Sequence, residues 1–474
     1  MARSSSEKSK ADQGEDGSGD GGQTPPQPVG FWDPQLQPVR RAAVKKWLLT
    51  TAVLMALILG VLSVYWAVFK HLPRNLSSLV VYVVDMDGVA PYDNTGHDPL
   101  VGNTITALAH ETVAQGNTLG FGVMPASAFN NDPLEVRRAV YNWDAWAAII
   151  VNPNATALLY QAVETGNASY DPLGACQFVF QDARDDTTYY DFILPVTTAF
   201  MREAVARVGM QWAGLALANA STPQALANLR AAPQALSPGI GSTEYNLRPF
   251  WPYEAIPAVS IGLIYLIIVS FFSFSFYLPI HMTYLAGRAP LRFRQLILWR
   301  WGATMVAYFF LSLAYSLISL AFGINFGARN PVTSHTEPTD IAFGNPNAYG
   351  HASFVVYWML NFLGMAALGL ACENAAMAVG QPWMGVFLIF WVISNVATGF
   401  YDIDIEPAFF RWGYAWPLHN VVEGSRQILF DLHSRLGLNF GILIAWTVVN
   451  TALFPFMCYW MRFKKQRGIK EYWG

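Results

Sequence analysis

The sequence predicts an α-helical polytopic membrane protein with six transmembrane helices and an extracytoplasmic α/β domain between the first two. Of the 474 residues, 53% are hydrophobic and only 13% are charged, whereas a soluble domain carries about 25% charged residues. Six apolar stretches are long enough to cross about 30 Å of hydrocarbon. The net charge of −3, without a Lys/Arg-rich face, argues against a nucleic-acid binder.

The first 46 residues are rich in Ser, Gly, Asp, Lys and Pro. Such a composition buries too little apolar surface to offset chain entropy, so we expect a disordered cytosolic N-terminus. Its membrane-proximal part, residues 30–46, carries Phe31 and Trp32 ahead of four basic residues. This pattern fits a segment lying on the membrane surface, and it equally fits a basic flank with two incidental aromatics.

The first predicted transmembrane helix covers residues 47–69. The other five lie within residues 256–461, at about 256–280, 302–323, 353–371, 380–400 and 438–460. None of the six has an interior Lys, Arg, Asp or Glu. We therefore expect Glu373 to lie at the cytosolic end of the fourth span, within reach of water.

Three basic segments lie on one side of the six predicted spans. They precede the first span, lie between the second and third (Arg288, Arg292, Arg294 and Arg300), and form a basic tail at 462–474. Because Lys and Arg are enriched in cytosolic flanks, both termini are predicted to be cytosolic. Residues 285–299 then form a cytosolic segment, which could be an amphipathic helix on the membrane or against a cytosolic partner. Its candidate coupling residues are Arg288, Arg292 and Arg294.

Residues 70–255 are too many for an unstructured loop. Strand patterns at 79–84, 145–151 and 177–181 alternate with helix patterns at 103–115, 155–164 and 193–218, which predicts an α/β domain. Residues 75–255 contain 17 acids and 7 arginines, a net charge of −10. An acidic face of this kind disfavours nucleic acid and anionic headgroups.

Four glycosylation sequons fall in this domain and none falls elsewhere. Their acceptor residues are Asn75, Asn154, Asn167 and Asn219. The positive-inside pattern places the same domain outside the cytosol, so the two signals agree. We expect a glycoprotein of the plasma membrane or another secretory-pathway membrane. The alternative is chance clustering in an Asn-rich loop.

The predicted first strand ends in Asp85-Met86-Asp87-Gly88-Val89, a pattern similar to the first motif of haloacid-dehalogenase-type phosphatases. That chemistry needs a nucleophilic Asp, a cation for the phosphoryl group and an acidic pair for Mg²⁺. The domain has no Lys, and a carboxylate-rich turn explains the same residues. Walker-type, nucleophile-elbow and His-Glu-x-x-His motifs are absent. We expect no enzyme activity, cofactor or metal.

Polar groups inside the spans are neutral. Asn361, Asn395 and Asn450 could line a transport path or bond neighbouring helices. Between the fifth and sixth spans, aromatics and prolines predict an outer re-entrant or interfacial hairpin, followed by a helix at 421–436. The hairpin candidates are Pro407, Trp412, Trp416 and Pro417.

This order of features resembles the fungal nitrosoguanidine-resistance membrane proteins. The resemblance covers about residues 30–465 and rests on the sequences at 83–88, 148–155, 345–350 and 414–417 together with the hydropathy plan. The plan is also similar to the bacterial phage-infection-protein family and to the membrane subunits of type-2 ABC exporters. The resemblance implies a role in tolerance to alkylating or other toxic compounds at the plasma membrane.

Two function classes follow. The first is an exporter-like protein that lowers exposure to toxic or alkylating small molecules or translocates lipids. The second is a membrane organiser or stress sensor that acts through partner proteins and lipid signalling, without transport. The expected partners are the lipid bilayer, a separate ATPase subunit or signalling proteins, and a second copy in a homodimer, but not nucleic acid.

Overall fold

The computed structural model describes residues 29–94, 96–285, 291–324, 326, 349–380 and 383–468. The described residues divide into two compact units, one ending at Ala56 and the other beginning at Leu57. In the first unit, helix α1 (Gln37–Leu57) begins ten residues before the predicted span. In the second unit, a π-helical turn, Ile58–Leu62, leads into α2 (Ser63–Val68).

A five-stranded mixed sheet forms the core of what we call the sheet domain, residues 79–250. Its strands are β1 (Val80–Asp85), β2 (Gly120–Pro125), β3 (Ala147–Val151), β4 (Cys176–Phe180) and β5 (Ser242–Asn246). Their order is β2-β1-β3-β4-β5, with only the β3–β4 pair antiparallel. The buried run of Val and Ile in β1 and β3 fits strands covered on both faces.

Helices cover both faces of this sheet. The long ones are α3 (Leu100–Gln115), α4 (Pro133–Tyr141), α5 (Ala155–Thr165), α6 (Leu194–Asn219) and α7 (Pro223–Ala231). Apolar residues of α3, α5 and α6 share one core with the sheet, and those of α4 share a second core on the other face. Short helices lie at Leu72–Asn75, Asp186–Thr188, Pro233–Leu236 and Ile256–Val259.

Two of the five strands escape prediction from the sequence. Strand β2 begins Gly-Phe-Gly, and β5 reads Ser-Thr-Glu-Tyr-Asn, so neither shows the β-branched pattern typical of strands. Gly120 is required in β2 because any side chain there would collide with the backbone carbonyl of Ser77. Pairing with β1 and β4, rather than local propensity, makes these segments strands.

Within the described residues, six helices build the helix bundle. They are α8 (Ile264–Ile280), α9 (Phe293–Ala321), α10 (Ser353–Val379), α11 (Trp383–Ala397), α12 (Pro417–Phe430) and α13 (Leu436–Gln466). In the described residues, five helices of the chain are long and apolar enough to cross a membrane: Pro34–Val68, Ile264–Leu285, α9, α10 and α13. Helix α10 is the most buried of these, with neighbours on several sides.

The predicted span at 380–400 contains a helix of only 15 residues, α11. It is about 22 Å long, which is shorter than a standard hydrocarbon core. Gly380 ends α10 at one end of the bundle. At the other end of α11, Phe400 and Tyr401 contact Tyr65, Phe69 and Phe192.

Three other predicted boundaries differ in the structure. Helix α9 begins at Phe293 rather than at 302, because apolar residues of its first turns pack against α13. The second predicted span is interrupted at Ser260, and its long helix starts at Ile264. Helix α12 runs from Pro417 to Phe430, not from 421 to 436, and Asp431 ends it in a left-handed conformation.

Candidate functional site

At the carboxyl edge of the sheet, the Asp87 carboxylate is held by the starts of two helices. It accepts hydrogen bonds from the backbone N–H of Gly102 (3.1 Å) in α3, and from the N–H (2.9 Å) and hydroxyl (2.5 Å) of Thr156 in α5. After β1 the chain continues to β2 on one side of the sheet, and after β3 it continues to β4 on the other side. Open α/β sheets commonly bind anionic ligands between two strands whose connections diverge in this way. In this chain its own carboxylate occupies that position.

Asp85, the residue that a phosphatase would use as nucleophile, also takes part in this packing. Its carboxylate lies against Gly102, where no side chain would fit, and accepts the backbone N–H of Asp87 at 2.9 Å. Burial raises the pKa of Asp85. The described residues contain no cluster of three His, Cys, Asp or Glu side chains that could hold a metal ion. The contacts of Asp85 and Asp87 are those of a carboxylate-rich structural turn.

A second polar site joins the sheet domain to the helix bundle, and we call it the junction. Its central pair is Arg426 of α12 with Asp185, at 3.2 Å and with both side chains buried. Asp186 lies 3.7 Å from the same guanidinium, and the carbonyl of Arg184 accepts a hydrogen bond from it. The Arg184 guanidinium stacks on Trp146 at 3.6 Å.

The segment after α11 completes the junction. The backbone N–H of Asp402 donates a hydrogen bond to the hydroxyl of Thr188. The hydroxyl of Tyr401 donates a hydrogen bond to the carboxylate of Asp191 at 2.8 Å. A cavity of about 20 Å³ remains among Arg184, Asp185, Asp402, His419, Glu423 and Arg426. That volume has room for about one water molecule. The junction therefore fixes the chain between α11 and α12 against the sheet domain.

Burial shifts the pKa values of several titratable groups in the junction. Burial, and then the neighbouring charge of Asp404, raise the pKa of Asp402 to about 7. Burial also raises the pKa of Glu406 to about 9, and neither of its carboxylate oxygens has a hydrogen-bond partner. Burial lowers the pKa of His419. At neutral pH the junction therefore holds a protonated Glu406, and Asp402 is divided between its two protonation states.

A third site is an ion pair inside the helix bundle. Arg300 of α9 and Glu373 of α10 are 2.7 Å apart, with 5% and 3% of their side chains exposed. Thr304 donates to the same carboxylate at 3.3 Å, and the guanidinium lies 5.5 Å from the ring of Phe454. The expectation that Glu373 meets water is therefore wrong. Arg300 belongs to a helix and not to the cytosolic loop, because α9 starts earlier than hydropathy alone indicates.

The three asparagines within the predicted spans lie at contacts between elements. Asn361 donates to Ser316 of α9 at 3.0 Å, and Asn450 accepts from Asn374 of α10 at 3.1 Å. Asn395 accepts the backbone N–H of Leu418 at 3.1 Å and so caps the start of α12. This geometry favours the helix-bonding interpretation over a transport path.

The predicted hairpin folds as a 3₁₀ segment, Ala408–Ala415, between Pro407 and Pro417. Trp412 and Trp416 stack edge-to-face at 4.8 Å, and Trp416 packs on Trp391 of α11 and Trp446 of α13. Pro417 is buried at the first turn of α12, where a missing N–H costs nothing. These contacts join the 3₁₀ segment to α11 and α13.

In the predicted cytosolic coupling segment, Arg288 lies outside the described residues. Arg292 and Arg294 are exposed at the start of α9. Arg294 also lines a groove of about 590 Å³ between α9 and α13.

The four sequon asparagines differ in their surroundings. Asn167 and Asn219 are exposed. Asn154 is half-buried, and the hydroxyl of its sequon Thr156 is bonded to Asp87. Asn75 is also half-buried, and its side-chain amide donates to the carbonyl of Ile405 at 3.0 Å.

Sequence reasoning missed the Arg300–Glu373 pair and most of the junction. The apolar pattern of Phe293, Leu296 and Ile297, continued backward from the third span, would have placed Arg300 inside a helix. The junction left no such signal, because Asp185 and Arg426 are far apart in the chain and meet only in the tertiary structure.

The fold is that of a multi-pass helical membrane protein with an α/β domain inserted after its first apolar helix. Residues 50–452 match the family model described as "Protein of unknown function (DUF3533)", so the chain belongs to that family. It is similar to an uncharacterised endoplasmic reticulum membrane protein of Saccharomyces cerevisiae, 27% identical over 94% of this chain and 86% of the relative. No solved structure matches. This chain is thus a multi-pass membrane protein of the secretory pathway.

Proposed function

We propose that the chain is an exporter-like membrane protein that contributes to resistance to toxic or alkylating small molecules or to lipid translocation. The observation that carries the proposal is the buried Arg300–Glu373 pair. The desolvation of two buried charges commonly costs more free energy than their mutual attraction supplies. Replacing such a pair by apolar side chains of similar size often leaves the protein at least as stable. Ionisable residues inside a membrane domain typically mark substrate or ion paths.

The proposed topology has both termini in the cytosol and six crossings, the fifth made by α11. Support comes from Tyr401, which follows α11 and bonds to the sheet domain, while Gly380 precedes α11 at the far end of α10. The plasma membrane remains the proposed location. The endoplasmic reticulum relative adds that membrane as a second candidate.

The test compares cells lacking the protein with cells that overexpress it, after brief exposure to a labelled alkylating agent. Early intracellular label should be higher in the null and lower on overexpression. Glu373→Gln should behave as the null, whereas the control Glu135→Gln, at a half-buried side chain of the sheet domain, should behave as wild type. Equal label in null and wild-type cells would contradict export.

The second candidate is a membrane organiser or stress sensor that acts through partner proteins and lipid signalling. The observation that favours it is the junction, where Asp402 has its pKa raised to about 7 beside the Asp185–Arg426 pair. Such a site can report a change of conditions without transport. Equal label with unequal survival would support this candidate, and capture of the full chain should then recover signalling proteins rather than an ATPase.

A further inference from the structure

The groove between α9 and α13 combines an apolar wall with a cationic end. Its α9 wall is Arg294, Ile297, Leu298 and Trp301, which lie on one helical stripe. Its α13 wall is Thr451, Phe454, Pro455, Phe456 and Tyr459. The stripe on α9 is about 10 Å long, roughly a third of a bilayer's hydrocarbon thickness. These dimensions fit part of one acyl chain.

Positive charge accumulates at one end of the groove. Arg294 is exposed there and forms no ion pair within the part of the chain that the structure describes. Arg462 of α13 lies 4.6 Å from the ring of Phe293, so it belongs to the same end. Residues 281–300 and 462–468 contain no acid. An anionic group at this end would therefore meet unopposed guanidinium groups.

The opposite end of the groove is closed. The indole N–H of Trp301 donates to the hydroxyl of Thr451 at 3.1 Å across the two helices. Phe454 forms the floor between the groove and the ion pair, because its ring also lies 5.5 Å from the Arg300 guanidinium. An occupant of the groove would thus contact a residue that packs on the Arg300–Glu373 pair.

We propose that this groove binds an anionic glycerophospholipid, with one acyl chain against Leu298 and Phe456 and the phosphate at Arg294. A second groove, of about 500 Å³, lies between α8 and α9 and offers the comparison. It is also apolar, but Glu254 is its charged residue and no cation lines it. Charge complementarity therefore assigns the anionic lipid to the first groove alone.

This inference names a substrate class for the proposed function. Only the translocation of the bound lipid rests on that function. Binding is measured without transport. The full chain is purified in detergent and titrated with phosphatidylserine or phosphatidylcholine, and bound lipid is counted by native mass spectrometry. Wild type should bind phosphatidylserine about fivefold more tightly. Inorganic phosphate and glycerophosphoserine, which lack acyl chains, should not displace it.

Three variants separate the contributions. Arg294→Gln should abolish the preference for phosphatidylserine over phosphatidylcholine while leaving the affinity for phosphatidylcholine unchanged. Leu298→Trp should weaken the binding of both lipids at least fivefold, because the larger side chain occupies the groove that Leu298 lines. Leu298 is 67% exposed, so the substitution should leave the packing between the helices intact. The matched control Val269→Trp, in the second groove, should leave both affinities unchanged.

Equal affinity for the two lipids in wild type would overturn the proposal, as would unchanged binding in Leu298→Trp. Displacement by inorganic phosphate alone would reassign the cationic end to a soluble anion and would also overturn it. If lipid binding follows the expected pattern while the labelled-agent test shows no export, the site stands and the proposed function fails. If the cells export the labelled agent but the lipids do not bind in this pattern, the proposed function stands and the lipid site fails.

Discussion

Asp87 shows how one carboxylate can close a potential ligand site. The N-termini of α3 and α5 both point at it, and its partners are the Gly102 N–H and two groups of Thr156. A carboxylate at a helix start also interacts favourably with the helix dipole. The residue that invites a catalytic interpretation in the sequence is therefore used to pack the domain.

Replacing Asp87 by Ala should destabilise the chain by about 3 kcal/mol, because three donors lose a charged acceptor. The measurement is the thermal unfolding of the purified full chain in detergent. Asp85→Asn keeps an acceptor for the Asp87 N–H and should leave resistance unchanged. Loss of resistance in Asp85→Asn without loss of stability would instead revive the phosphatase hypothesis.

The exposed Asn167 and Asn219 are the strongest glycosylation candidates. Substituting either by Gln should remove one glycan, seen as a stepwise gain in gel mobility that glycosidase treatment abolishes. Asn75→Gln should leave the mobility unchanged, because the Asn75 amide is bonded to Ile405. An unglycosylated chain from a glycosylating host would contradict the extracytoplasmic placement of the sheet domain.

At the scale of elements, the contacts of α10 with α9 and α13 are polar as well as apolar. Asn361–Ser316 and Asn374–Asn450 bond helices across the bundle, and Arg300–Glu373 adds a charged contact. Polar contacts of this kind fix which helices are neighbours, because lipid tails compete with every apolar contact. We expect the charged contact to be needed for function more than for stability.

A double-mutant cycle tests this expectation. Glu373→Leu alone should destabilise the chain by about 3–5 kcal/mol, because it leaves Arg300 buried without a partner. Arg300→Met with Glu373→Leu should recover most of that loss while resistance stays at the null level. Unfolding in detergent and cell survival are the two readouts. Full resistance in the double variant would assign the pair a structural role only.

At the scale of the whole molecule, the junction links the sheet domain to the helices, and burial raises the pKa of one of its carboxyl groups to about 7. Asp402 is the informative one, and Arg184, Asp185, Asp404, His419, Glu423 and Arg426 surround it. Its pKa is raised to about 7, so the protonated form is the one favoured in the folded chain. The stability that this contributes is fully present below about pH 4 and is lost as pH rises through about 7.

Asp402→Asn should therefore raise the melting temperature by roughly 3 °C at pH 8 and much less at pH 5. The Asn side chain can still accept from the N–H of Asp404, so the local turn is kept. His419, whose pKa is lowered by burial, opposes this trend at acidic pH in both proteins and cancels in the comparison. The same gain at both pH values would show that the charge of Asp402 is not responsible.

The sequence by itself determined the features that depend on local pattern. Apolar length identified the long helices, and β-branched runs identified β1 and β3, because each burial pattern repeats within a few residues. Hydropathy could not fix where α9 begins, since apolar residues continue into Phe293, Leu296 and Ile297 beyond the predicted span. Strands β2 and β5 depend on partners and not on their own composition.

The candidate sites were decided only by the tertiary structure. Arg300 and Glu373 meet across 73 residues, and Asp185 and Arg426 across 241, so their charges become paired only when the helices and the sheet domain pack. From the sequence alone, a charged residue whose partner is far along the chain looks the same as a charged residue exposed to solvent. Burial then raises the cost of leaving it unpaired, and folding brings the pairs together for that physical reason.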